Sequence, residues 1–240
     1  MSAWTQIGTA TTSNGDVLIL REQCGAFELR MNGHELMATR AHGSEEAMAR
    51  LACRRLHHRV DARVLIGGLG MGYTLRAALD VLPISAEVLV VELVPEVVAW
   101  NRASLGAAAG FPLLDERVDV RVGDVNDVLL ETRVRFDAIL LDIDNGPQAP
   151  VRLGNGAVFA PAGLRSIRGA LRPGGMLAVW SADPCPAFAQ SLREAGFRAR
   201  SVQVPARRSS DPMHTIFVAV MRPALTRRAS HADLSRERER

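Results

Sequence analysis

Cysteine is scarce. Cys24, Cys53 and Cys185 are scattered through 240 residues without a CxxC pair. So small and odd a set excludes a disulfide framework and points to a reducing compartment. Aromatic residues make up 5% of the chain, with a single tyrosine, which argues against the stacking platforms that hold single-stranded nucleic acid. No apolar run approaches the roughly 20 residues needed to span a bilayer. Residues 1–12 show no basic segment leading into an apolar core, so no signal peptide is expected and the expected location is cytoplasmic. The net charge of +3 and pI near 9.2 look basic, but seven arginines sit in two clusters, Arg207-Arg208 and Arg227, Arg228, Arg236, Arg238 and Arg240. Those clusters read as a solvated loop and tail, so neither nucleic acid nor membrane is an expected partner.

What is present is a stretch of strand, glycines and helix. Val64-Leu65-Ile66 runs into Gly67-Gly68-Leu69-Gly70-Met71-Gly72, and a helix-competent run follows over residues 74–82. Glycines here let the backbone turn sharply and approach a ligand, and the helix start offers unpaired N–H groups. Upstream, residues 17–21 and 26–30 read as strands, and Asn32-Gly33 is a hairpin signal. Ser44 is the expected N-cap of a helix running to Leu56, with Glu45 and Glu46 in its first turn. The adjacent pair His57-His58 ends that helix and points two ways, so no metal is expected.

Downstream the pattern alternates. Strands are expected over 64–66, 87–92, 118–122, 136–141 and 176–180, with helices over 74–82, 95–104, 126–131, 161–171 and 188–195. Residues 172–175 read as a turn, and 202–204 and 214–221 close the sheet as an antiparallel pair. Near-continuous apolar strands alternating with helices predict an α/β fold: a doubly wound, mostly parallel Rossmann-like sheet with a small antiparallel β-meander before it. The expected division is a meander over 1–43, a nucleoside-binding domain over 44–222 and a disordered charged tail over 223–240.

In such sheets ligands sit beyond the carboxyl ends of the strands. Four strands here end in Gly67, Glu92, Asp124 and Asp142. Glu92 follows Gly72 by twenty residues, where a carboxylate can accept both ribose hydroxyls. Taken singly, Glu92 or Asp124 could merely cap the next helix; together the acidic strand ends point to a nucleoside site. Tyr73 stands where a dinucleotide fingerprint wants its third glycine, whereas Gly68, Gly70 and Gly72 give GxGxG.

These pieces, with Val90-Val91-Glu92, Val122-Gly123-Asp124, the run 136–142 and Leu171-Arg172-Pro173-Gly174-Gly175, resemble the spermidine synthase (polyamine aminopropyltransferase) family, which is built on the class I S-adenosylmethionine-dependent methyltransferase fold. The resemblance covers residues 16–221. It implies S-adenosylmethionine or its decarboxylated form as nucleoside, a small-molecule amine as acceptor and a homodimer. By the same resemblance Gly67, Gly68, Gly70 and Gly72 form the nucleoside turn, Glu92 holds the ribose, and Asp124 with Val125 contacts the adenine. The loop after strand 136–141 faces the reacting centre, with Asp142 orienting the amine and Asp144 as base. Asn145 stands where the family carries its second aspartate, Met71 matches the family's glycine-loop acid, and Glu45-Glu46 lie near its Tyr-His pair, where they offer negative charge to a cationic amine.

A base matters because an amine of pKa near 10 is protonated at pH 7, a gap of about 4 kcal/mol. A carboxylate in a dry pocket can take that proton as the C–N bond forms. A methyltransferase, in which positioning supplies most of the acceleration, and a non-catalytic nucleoside-binding homologue are the other expectations.

Overall fold

The protein is described here by a computed structural model covering residues 3–143, 146–147, 156–207 and 212–221. Asp144, Asn145 and the tail 223–240 lie outside the described residues. The chain opens with β1 (Thr5–Thr11), β2 (Val17–Gln23), β3 (Ala26–Met31) and β4 (His34–Ala38), a four-stranded antiparallel sheet in sequence order. Alternation buries Leu18, Leu20, Phe27 and Leu29 on one face. Asn32 and Gly33 both take positive φ, the backbone a tight hairpin needs. Asn32 does more: its Nδ2 donates to Asp16 Oδ1 at 2.6 Å and its Oδ1 accepts from Val17 N at 2.9 Å, tying the β3–β4 turn to the start of β2. Strand β1 was not expected from sequence, because only Ala10 of its seven residues is buried and no alternation marks it.

Helix α1 (Gly43–Cys53) follows, continued by a 3-10 turn over Arg54–Leu56. Its N-cap is His42, not Ser44. Ser44 lies inside the first turn, wholly buried, with its hydroxyl turned to side chains of other elements. The α/β unit then runs through β5 (Arg63–Gly67), α2 (Tyr73–Val81), β6 (Glu87–Glu92), α3 (Pro95–Arg102), β7 (Val118–Val122), α4 (Val125–Glu131), β8 (Phe136–Leu141), α5 (Gly156–Phe159), α6 (Pro161–Ala170), β9 (Leu171–Ser181), α7 (Pro186–Glu194), β10 (Phe197–Pro205) and β11 (Met213–Met221).

The seven strands lie in the order β10-β11-β9-β8-β5-β6-β7. Neighbours from β9 to β7 are parallel, and β11 is antiparallel to both β9 and β10. Counting β5 as the first strand, this is 6-7-5-4-1-2-3 with one reversed strand, a class I methyltransferase-like sheet. The strands with neighbours on both sides carry the apolar runs: every residue of β8 is buried, whereas β7, at the edge, buries none. Residues 172–175 belong to β9 as an irregularity: Phe136 pairs with Leu171, but Ala138 pairs with Met176. Near that end of the sheet Asp137 is buried. Its Oδ2 accepts from Arg63 N at 2.9 Å and Arg172 Nη1 at 2.6 Å, and its Oδ1 lies 2.6 Å from Arg59 Nε. Two guanidiniums and an amide satisfy a carboxylate that would otherwise be costly to bury.

The order of strands reverses between β5 and β8, and a cleft opens beyond their carboxyl ends. Among the described residues no helix is long and apolar enough to cross a membrane.

Candidate active site

The turn after β5 is shaped by one contact. A Cβ on Gly68 would stand 2.2 Å from the Asp142 carbonyl oxygen, and its φ is +86°, so only glycine lets the first and fourth strands of the unit meet here. Gly70 faces the cleft too, with Met37 of β4 packed against it, the sulfur 2.6 Å from where a Cβ would stand. Gly68 and Gly70 line the cleft. Gly67 and Gly72, read with them as cofactor-binding, do not: Gly67 is the last residue of β5, against Leu141 and Val125, and Gly72 is the N-cap of α2, against Pro112, Asn101 and Ala109. Met71 also points away, fully buried in the apolar core. It therefore carries no information about a ligand's charge; Gly70 and Met37 occupy the cleft side of the turn.

Two side chains hold this turn in place. Glu92, at the end of β6, accepts from Leu69 N at 2.8 Å through Oε2 and from Val94 N at 2.9 Å through Oε1. Burial pushes its carboxyl up, opposed by these backbone bonds. Gly70 and Leu93 add further backbone hydrogen bonds, and the side chain lines the cleft. Asn101 of α3, not singled out from sequence, donates to Gly70 O at 2.8 Å. Asp124 is the N-cap of α4, its Oδ1 accepting from Asn126 N at 2.7 Å. The capping reading is thus met, yet Asp124 and the following Val125 also line the cleft.

Across from them lie Asp142 and Glu45. Thr74, in the first turn of α2, donates through Oγ1 to Asp142 Oδ2 at 2.6 Å. Ser44 donates to Glu45 Oε2 at 2.5 Å. Burial, and then the neighbouring Asp142 charge, push the Glu45 carboxyl up to about 7; burial raises Asp142 to about 6 against the pull of the Thr74 hydroxyl. Two interacting buried carboxyls titrate as a pair, exchanging protons near neutrality. Glu46, read alongside Glu45, does not reach the cleft: one oxygen lies 2.7 Å from His42 Nδ1, and the other accepts from Arg50 Nη2 at 2.8 Å. The helix turns successive residues about 100° apart, so only one of the pair can face inward.

Six further residues at or beside the cleft are not legible from sequence. Trp180 of β9 lines the cleft and donates through Nε1 to Ser44 Oγ at 3.1 Å. His214 of β11 lies 2.9 Å from the same oxygen through Nδ1, its ring edge-on to Trp180. Thr12, Ser13, Asn14 and Asp16, from the β1–β2 connection, cover the cleft from the meander side. No local signal marks Ser44 and His214 as partners, since 170 residues separate them.

The lining carries one sign of charge. Asp16, Glu45, Glu92, Asp124 and Asp142 face the cleft, and no arginine or histidine lines it among the described residues. The chain has no lysine anywhere. Among the described residues no group of His, Cys, Asp and Glu is arranged to hold a metal ion.

No protein-family model matches the chain, and no curated protein matches it in sequence. Solved structures do match. One is the spermidine synthase of Thermotoga maritima, with TM-score 0.70 and 16% identity over 90% of this chain and 72% of that one. Another is a spermidine synthase in complex with the transition-state analogue AdoDATO, with TM-score 0.69 and 18% identity over the same shares of the two chains. In sheet order, added meander and overall superposition, the chain has the fold of spermidine synthase.

Proposed function

We propose that the chain is an aminopropyltransferase-like enzyme that binds decarboxylated S-adenosylmethionine and transfers its aminopropyl group to a small amine. The observation that carries this reading is the acidic cleft: five carboxylates, no facing cation among the described residues, and the buried pair Glu45 and Asp142 beside the glycine turn. A nucleoside with both a sulfonium and an ammonium, together with an amine acceptor, is the ligand set such a lining favours. The carboxylate of ordinary S-adenosylmethionine would meet like charge there, worth roughly 1–4 kcal/mol per pair at 4 Å. The fold shared with spermidine synthases, one of them bound to a transition-state analogue, supports the same reading.

In this reading Gly68 and Gly70 cradle the nucleoside, Glu92 holds its ribose, and Asp124 with Val125 flanks the base. Asp142 orients the acceptor amine from the end of β8. Asp144, read from sequence as the base, lies outside the described residues; Glu45 and Asp142 are described carboxylates that face the cleft and can take the amine's proton. Their raised pKa values suit that task, since a base poised near the working pH transfers protons most effectively. The test is incubation with decarboxylated S-adenosylmethionine and putrescine, followed by mass analysis. Spermidine with the thioether nucleoside is expected; absence of any aminopropylated amine across a panel of diamines refutes the reading.

A further inference from the structure

We propose that Ser44 and His214 are positioning residues that carry the acceptor's proton out of the cleft, from Glu45 through the Ser44 hydroxyl to His214 Nδ1. This rests on the transferase reading above, in which each turnover leaves one proton behind. The acceptor, R–NH3+, gives a proton to the Glu45 carboxylate. The freed lone pair attacks the carbon bonded to the sulfonium, the C–S electron pair stays on sulfur as a neutral thioether, and the product is R–NH2+–R′. Glu45 must then lose its proton before the next turn, yet it is buried beside a second carboxyl.

The hydrogen bonds around Ser44 give that proton a route. Ser44 Oγ lies 2.5 Å from Glu45 Oε2 and 2.9 Å from His214 Nδ1, and accepts from Trp180 Nε1 at 3.1 Å. A hydroxyl has one hydrogen and two lone pairs, and an indole N–H can only donate. Trp180 therefore occupies one lone pair in every state, leaving one hydrogen and one lone pair to share between Glu45 and His214. When Glu45 is ionised, Ser44 donates to it and His214 presents Nδ1–H. When Glu45 carries a proton, it donates to Ser44, whose own hydrogen turns to an unprotonated Nδ1. From the second arrangement Glu45 passes its proton to Ser44 as Ser44 passes its own to Nδ1, and the imidazolium releases a proton from Nε2. No side chain needs to move.

The surroundings give the route a buried end and an open end. Ser44 and Glu45 are buried, whereas His214 is partly open. Asp142, just after β8, and Glu46 of α1 act on Glu45, Tyr73 adjoins it from α2, and Asp183 acts on His214. Burial lowers the His214 pKa, Asp183 opposing, so the ring stands neutral near pH 7 and, as the weaker base of the two, holds the proton only in passing before releasing it.

Ser44→Ala and His214→Gln test the route. With decarboxylated S-adenosylmethionine and putrescine, each is expected to lower kcat by about 10²-fold, the scale of a lost proton-transfer step. Nucleoside Kd should stay within about twofold of the parent, and added imidazole should restore the His214→Gln rate. Unchanged kcat in both variants overturns the proposal. A readout independent of turnover is the ¹⁵N shift of His214 Nδ1 against pH. It should show a second inflection where Glu45 titrates, lost in Ser44→Ala; a single His214 curve in the parent protein overturns the relay. Should that second inflection appear while no amine is aminopropylated, the relay stands and the transferase reading fails.

Discussion

Glu45 shows how placement changes the meaning of a residue. Read along the chain, Glu45 and Glu46 are equivalent glutamates at a helix start. In the fold one carboxylate is held by His42 and Arg50 while the other is buried against Asp142. Burial leaves a stability signature. The folded-state pKa of Glu45 lies above its unfolded value, so the folded protein binds more protons between about pH 4 and about pH 7. Its contribution is favourable below that window and is lost as pH rises through it. Glu45→Gln is therefore expected to raise stability at pH 8 by on the order of 2 kcal/mol, the gap closing near pH 4. Thermal melts across that range check this, and parallel melting curves would contradict it. Thr74→Val removes the hydroxyl bond to Asp142 and should raise that carboxyl further. The alkaline-going rise of kcat/KM then moves to higher pH; a profile that stays in place would show that Asp142 does not titrate in the reaction.

At the scale of elements, the glycine turn carries the sharpest constraint. Gly68→Ala would drive a Cβ into the Asp142 carbonyl at 2.2 Å with φ at +86°. It should cost about 3 kcal/mol or more in stability and abolish nucleoside binding. Gly25→Ala, at φ +79° with nothing within 4 Å of the added carbon, should cost only about 1 kcal/mol and leave binding intact. Denaturant titration separates the two, and similar losses for both would mean that the β5–β8 contact is not what fixes the turn. The turn, the parallel strands and the acidic strand ends were legible because each is a local pattern: apolar runs, glycines and a charge at a run's end. Strand β1 was not, since an exposed edge strand leaves no alternation to read. Spacing along a turn does not say which residue faces the cleft. Met71 turned into the core, and Ser44 turned from a capping position to Glu45, Trp180 and His214.

For the molecule as a whole, the meander and the α/β unit together make the cleft. Met37 and the residues from Thr12 to Asp16 close it from one side, and Gly68, Glu92, Asp124 and Asp142 form the other. The fold was readable because both parts have their own periodicities. The sign of the cleft was only half readable: the strand-end acids stand out in sequence, but Asp16 and Glu45 join them only through packing, and that no cation faces them among the described residues is a property of the assembled lining. The acidic lining formed by the described residues should select a nucleoside by charge, which calorimetry with S-adenosylmethionine and its decarboxylated form can read. The decarboxylated nucleoside is expected to bind at least about tenfold more tightly, a difference of about 1.4 kcal/mol, and the preference should shrink in Glu45→Gln. Tighter binding of the carboxylated form would contradict the account and favour methyl transfer on the same fold, and binding of neither would show that the turn after β5 holds no nucleoside.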